Sequence, residues 1–492
     1  MRLTAALFLM IAAATAAVAQ QPASAKPAYP TWLKACEIPM GEGTSVKALC
    51  GSYPVFENRA ARKGRKIELN VVVFPATGSA KLPDPVFYFA GGPGSAAAEE
   101  APYIAEDLTP LRTERDLVFV DQRGTGRSNP LNCTFFNPSE PQSYLGHWNP
   151  LDDVRRCRTE LEKNADLRLY TTSIAMDDLD EVRAALGYGR INLYGISYGT
   201  RAVQEYIRRH GRNARSAVLH GVSLTGQHMP DNFGQANERA MHGVLDECLN
   251  DAACRAAFPN IKADAANVLE TLRKGPVKVT IEVEKGRRGE VALSRDLAAE
   301  AIRYMLYRTA GASNVPMVLS TAAKGDLAPL AEAALFYRKN IVATGSNGMY
   351  LSVLCAEDLP FIDREASIRA NEKTFLGNYR LVQQAEGCDL WPRGTVPKGY
   401  AEPVKSNVPV LIFSGQWDPV TPPEAGDIAA KNFRNSVHIV VKSGGHGFYG
   451  LENTSCLSSL LNEFILSPDP ANFDTSCVTT IKRKGFNVPK KD

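Results

Sequence analysis

The run Ile191-Asn192-Leu193-Tyr194 favours a strand and stops abruptly at Gly195-Ile196-Ser197-Tyr198-Gly199. A helix-like segment from Thr200 to His210 follows at once. A G-x-S-x-G placed between strand and helix holds its serine on a sharp, strained turn above a sheet edge. Glycines two before and two after the serine let the strand and helix approach closely. The start of the helix adds positive potential where an oxyanion would form. Taken alone, the motif is a common turn sequence. It gains meaning here because three further motifs accompany it in chain order.

The surrounding pattern is that of a parallel α/β sheet. Lys66 to Pro75, Pro85 to Phe89, Leu117 to Val120, Ala217 to Leu219, Val408 to Ser414 and Val437 to Val441 read as strands. Helical stretches separate several of them, including Ser173 to Leu186 with Ser173 as its expected cap and Gly187 as its stop. Between about 225 and 400 the rhythm breaks. Residues 232–273, Asp296 to Arg308 and Leu327 to Lys339 read as helices, and Val277 to Leu293 as a hairpin turning at Lys285 to Gly289. A length of 492 residues accommodates a core plus an insertion. The expected organisation is a signal peptide over 1–19, a lead-in over 20–50, core over 51–224, a mostly helical lid over 225–400, and core again over 401–492.

The returning core carries two more chemical groups. Gly415-Gln416-Trp417-Asp418 follows a strand directly, so Asp418 stands at a strand's carboxyl end, where catalytic groups of such sheets collect. Of seven histidines, His446 is the one in a glycine-flanked loop after a late strand, Ser443-Gly444-Gly445-His446-Gly447. His210, His228 and His242 are expected on the surface, and His438 lies within a strand. The order Ser197, Asp418, His446 matches a nucleophile, an acid and a base.

These motifs, with Gly91-Gly92-Pro93-Gly94 and Asp121-Gln122-Arg123-Gly124-Thr125-Gly126-Arg127-Ser128, resemble the α/β-hydrolase serine exopeptidases of the tripeptidyl aminopeptidase and prolyl iminopeptidase group. The resemblance spans roughly residues 50–465 and is weakest in the lid. Ala90 stands where many relatives have histidine. The resemblance implies an α/β-hydrolase core with a helical lid. It also implies an acyl-enzyme mechanism on peptides with free N-termini, through Ser197, Asp418 and His446. The oxyanion would be held by the N–H groups of Gly92 and Tyr198. Asp121 and Arg123 are expected as an ion pair or turn scaffold. An esterase using the same triad and a non-catalytic binding protein are the competing classes. An epoxide or haloalkane hydrolase would need aspartate in place of Ser197.

An enzyme that counts from the amino end needs an anion for the substrate ammonium. Glu357 and Asp358, adjacent in the lid near Cys355, are the first candidates, although adjacent acids are equally at home on a solvated surface. Glu99 and Glu100 are weaker ones. The N-terminus has Arg2, an apolar Ala5–Ala14 stretch and Ala17-Val18-Ala19, which reads as an export signal cleaved after Ala19. Export to a periplasmic or extracellular compartment agrees with ten cysteines. Neighbours pair naturally: Cys36–Cys50, Cys133–Cys157, Cys248–Cys254, Cys355–Cys388 and Cys456–Cys477. A cysteine metal site is the rival reading, and no C-x-x-C supports it. A net charge of +3 gives no reason to expect nucleic acid. No metal, cofactor or membrane anchor is expected, and the protein is expected to be a monomer acting on peptides.

Overall fold

Val86–Phe89 (β4) and Leu117–Val120 (β5) carry no charged side chain and are buried throughout. Strands covered on both faces need such continuous apolar runs. Phe87 and Phe89 point into one apolar layer, Val86 and Tyr88 into the other. The computed structural model describes residues 29–41, 43–343 and 345–489. The expected signal peptide lies outside them.

The other strands in chain order are β1 (Lys34–Gly41), β2 (Thr44–Phe56), β3 (Lys66–Phe74), β6 (Ile191–Ile196), β7 (Ala214–His220), β8 (Val277–Glu284), β9 (Arg287–Leu293), β10 (Val410–Gly415) and β11 (Ser436–Val441). Seven of these, with β4 and β5, form one sheet in the order β1-β2-β3-β5-β4-β6-β7-β10-β11. From β5 to β11 all neighbours are parallel, and β1, β2 and β3 add an antiparallel edge. The lead-in expected over 20–50 is therefore structured in its second half: β1 and the start of β2 form a hairpin. Its alternating exposed and half-buried residues are those of an edge strand, a weaker signal than the continuous apolar runs of the centre.

The insertion has its own core. Helices Phe233–Asn250, Ile261–Arg273, Arg295–Leu306, Val315–Ala323 and Ala328–Ala343 pack with the β8–β9 hairpin in one apolar cluster. That cluster also includes Leu131, Phe136, Tyr144, Val154 and Tyr170. The excursion after β5 thus packs with the insertion, although the sequence assigns it to the sheet domain. It holds short helices and no strand, so nothing in its pattern ties it to either layer. The helix expected from Ser173 starts at Thr172, and Ser173 lies inside it, where its hydroxyl donates to Glu205.

All ten cysteines pair as sequence neighbours, with Cα separations of 5.2–5.9 Å. Such bridges fit an oxidising, extracellular environment. Among the described residues no helix is long and apolar enough to cross a membrane.

Candidate active site

β6 delivers Ser197 into a backbone conformation that non-glycine residues rarely adopt, φ 58° and ψ −126°. The turn closes only because of its glycines. A Cβ at Gly199 would lie 2.0 Å from the Phe89 carbonyl oxygen, and one at Gly195 would lie 2.5 Å from the Gly199 oxygen. The helix Tyr198–His210 begins immediately after the serine.

The end of β7 and the loops after β10 and β11 converge on this turn. The Ser197 N–H donates to the His220 carbonyl at 2.8 Å. The next residue, Gly221, lies against the His446 ring, which a Cβ there would approach to 3.0 Å. Asp418 and His446 follow β10 and β11, and their loops touch closely enough that a Cβ on Gly415 would strike the Gly445 oxygen. Asp418 Oδ2 lies 2.7 Å from His446 Nδ1. Asp418 is fully buried, and its other oxygen accepts from the N–H groups of Val420 (2.8 Å) and Thr421 (2.9 Å). Burial pushes the Asp418 pKa up, but His446 and these donors outweigh it and hold the carboxyl below its ordinary range. His220 stacks on Phe448 at 4.6 Å, and burial, helped by the charge of His446, pushes its pKa down to about 4.

Gly91 and Gly92 pass over the serine: a Cβ on Gly91 would sit 3.3 Å from Ser197 Cβ. Gly92 has φ +107°, which glycine tolerates at no steric cost. Among the described residues, the N–H groups of Gly92 and Tyr198 enter no backbone hydrogen bond. Beside Gly92 opens a cavity of about 220 Å³, walled by Trp148, Phe233, Tyr304, Tyr307 and Tyr350. The Tyr307 ring stands 5.3 Å from that of His446.

Strand–turn–helix at the serine, an acid–histidine pair after two later parallel strands, and this strand order together settle the architecture. The chain has the alpha/beta hydrolase fold. Residues 84–257 match the family model described as alpha/beta hydrolase fold, and residues 373–477 match one described as TAP-like protein. The serine protease Hip1 of Mycobacterium tuberculosis is 26% identical over 459 residues, covering 85% of each chain. The tripeptidyl aminopeptidase of Streptomyces coelicolor is 24% identical over 460 residues, covering 87% of this chain and 82% of that one. The proline iminopeptidase of Neisseria gonorrhoeae is 26% identical over 141 residues, 28% of this chain and 33% of the relative. This α/β-hydrolase thus resembles one protein named as a serine protease and others named as an aminopeptidase and an iminopeptidase.

Glu357 and Asp358, expected to meet the substrate ammonium, are engaged by groups within the protein. Both are fully buried, and neither lines the cavity beside Gly92. Asp358 is ion-paired with Arg201 of the helix after Ser197, at 2.9 Å. Glu357 accepts from the Thr172 N–H (2.5 Å), the Thr172 hydroxyl (2.7 Å) and the Tyr400 hydroxyl. Thr172 Oγ1 lies 2.6 Å from the Tyr198 hydroxyl, so the pair of acids braces the elbow helix from below. The chain turns inward here because donors on three other elements await the carboxylates. Burial, opposed by Arg201 and these hydrogen bonds, raises the Glu357 pKa to about 7.

A carboxyl that holds its proton longer in the folded state stabilises the fold below its unfolded pKa. That contribution fades as pH rises toward the folded value. Stability is therefore expected to fall between about pH 4.5 and about 7 by roughly 1–3 kcal/mol. Glu357→Gln is expected to flatten that slope in thermal melts taken across the range. An unchanged slope would remove Glu357 as its source.

Glu100 is tied to the Tyr88 hydroxyl at 2.5 Å. Glu99 is exposed and lines a second small cavity, about 180 Å³, that shares Gly345 and Ser346 with the first. Arg123 is a scaffold, but its partner is Asp178, at 2.6 Å, and not Asp121. Asp121 instead accepts from the N–H groups of Ala98 and Arg127. His228 is half-buried and stacked on Phe361, where a surface position was expected. The sequence also hides Glu247. It accepts from Trp417 Nε1 and Ser443 Oγ, both at 2.7 Å, and so ties the Asp418 and His446 loops to an insertion helix. Its helix is an ordinary amphipathic one, and no spacing marks it.

Proposed function

We propose that the protein is an exported serine peptidase that releases short peptides or single residues from the free N-termini of peptides through an acyl-enzyme. Ser197 Oγ attacks the scissile carbonyl. His446 accepts its proton and returns it to the leaving amine, and Asp418 orients the imidazole and stabilises its charged form. The N–H groups of Gly92 and Tyr198 receive the developing oxyanion. Water, activated by the same histidine, then releases the acyl fragment. The observation that carries this reading is the 2.7 Å Asp418–His446 pair beside the turn that holds Ser197. The peptidase names of the relatives favour peptides over esters. Glu99 is the carboxylate best exposed to meet the substrate ammonium.

Mass spectrometry of products from peptides with free and N-acetylated termini tests the direction of cleavage. Fragments are expected to leave from the amino end of the free peptides only. Acetylated peptides cut at equal rate would remove the aminopeptidase reading while leaving the serine chemistry standing.

A further inference from the structure

The cavity beside Gly92 is lined by two guanidinium groups and by no carboxylate: Arg303 from the helix Arg295–Leu306, and Arg380 from the helix Tyr379–Leu390. Both are almost wholly buried, 2% and 4% exposed. They share one acid, Glu300, whose Oε1 lies 3.4 Å from each. Arg338 stands behind them, 3% exposed, held by the carbonyls of Tyr144 and His147 and by the face of Trp148 at 4.2 Å. Arg380 also lies over the Trp148 ring, at 3.7 Å, and Arg303 donates to the Tyr307 hydroxyl at 2.7 Å. Three buried cations therefore face one anion.

Buried charge left without a partner is costly. Aromatic faces and carbonyls soften that cost but do not cancel a net charge. The Nε atoms of Arg303 and Arg380 are buried and have no hydrogen-bond partner. A purely structural ion cluster would neutralise itself, and this one is short of negative charge where it lines the cavity beside Gly92. A guanidinium pair suits a planar carboxylate, which it can grip through parallel N–H donors.

We infer that this cavity binds a carboxylate of the substrate, held by Arg303 and Arg380 beside the reacting carbonyl. The inference rests on Ser197 as the nucleophile. The carboxylate is either an acidic side chain next to the scissile bond or a free C-terminus just beyond it. A volume of about 220 Å³ suits one such group and excludes a long chain. The ammonium then belongs outside this cavity, on the side of Glu99.

The test compares matched substrates within each protein. One pair is short peptidyl p-nitroanilides with free amino ends, carrying glutamate or glutamine at the cleaved position. The other is short peptides with free or amidated C-termini. The wild-type enzyme is expected to prefer the charged member of one pair by roughly 10–100-fold in kcat/KM, and the pair that responds identifies the source of the carboxylate. In Arg303→Gln and Arg380→Gln the ratio is expected to fall toward 1. Taking the ratio within one variant removes any general loss of folded enzyme. Ratios near 1 for both pairs in the wild type would overturn the inference while leaving the peptidase reading intact, as would an undiminished preference in both variants. If no peptide or anilide is cut, the peptidase reading falls. Inhibition of p-nitrophenyl butyrate hydrolysis by glutarate but not by its neutral diamide then decides the anion site alone.

Discussion

Ser197→Ala is expected to lower kcat/KM by roughly 10⁴-fold or more while leaving the protein folded. The side chain at the elbow stays small, so the strained turn keeps its shape, and the glycines that allow the strand and helix to touch are untouched. A fluorophosphonate or sulfonyl fluoride should label Ser197 and nothing else. Intact-mass and peptide mapping of labelled wild-type and variant protein check this directly. A variant that retains full activity, or a label on another serine with Ser197 unmodified, would end the assignment of the nucleophile. Asp418 and His446 supply the comparison: members of one catalytic unit lose activity non-additively, so Ser197→Ala combined with His446→Ala is expected to be little worse than either alone.

The parts of the molecule that a short stretch of chain determines by itself could be read from the sequence. Β-strands buried on both faces, such as β4 and β5, announce themselves as unbroken apolar runs. The elbow does so because its glycines are demanded locally: a Cβ on either would meet neighbouring backbone oxygen at 2.0–2.5 Å. Asp418 and His446 stand at strand ends, and sequence places strand ends well. The bridges are local as well, since each joins cysteines 6–33 residues apart.

Long-range partners were out of reach. Whether Glu357 meets a substrate or the core depends on Thr172 and Tyr400, which lie 185 and 43 residues away. A Glu-Asp pair in a lid segment looks the same in either role. Arg303, Glu300 and Arg380 posed a similar problem. Two of them share a helix face, but the third arrives from 80 residues on, and only their meeting shows the excess of positive charge. The edge hairpin of β1 and β2 is intermediate, being local in pairing but too weakly patterned to separate from a loop.

Asp178→Asn is expected to cost roughly 3–5 kcal/mol of stability, because it strips a buried guanidinium of its counter-charge. Arg123 is fully buried and donates to both oxygens of Asp178, at 2.6 and 2.9 Å. Its remaining donors reach the carbonyls of Glu57 and Leu169 at 2.8 and 2.9 Å. Arg59 adds a second cation on Asp178 at 2.8 Å. One carboxylate therefore fastens the end of β2, the loop after β5 and the helix Thr172–Ala185 at a single point. An amide in its place can still accept a hydrogen bond, but it brings no charge and turns an N–H₂ toward one of the cations. Asp177, the neighbour on the same helix, is the control. It pairs with Arg209 at 2.6 Å and His210 at 2.9 Å nearer the surface, where 25% of its side chain is exposed, and Asp177→Asn should cost only about 1–2 kcal/mol. Urea unfolding of the two variants with bridges intact measures the difference. Equal costs would mean that the Arg123 guanidinium is held by its carbonyls, with Asp178 adding little. A large cost confined to Asp178→Asn, with activity per folded molecule retained, would establish this loop as scaffold and leave the chemistry to Ser197, Asp418 and His446.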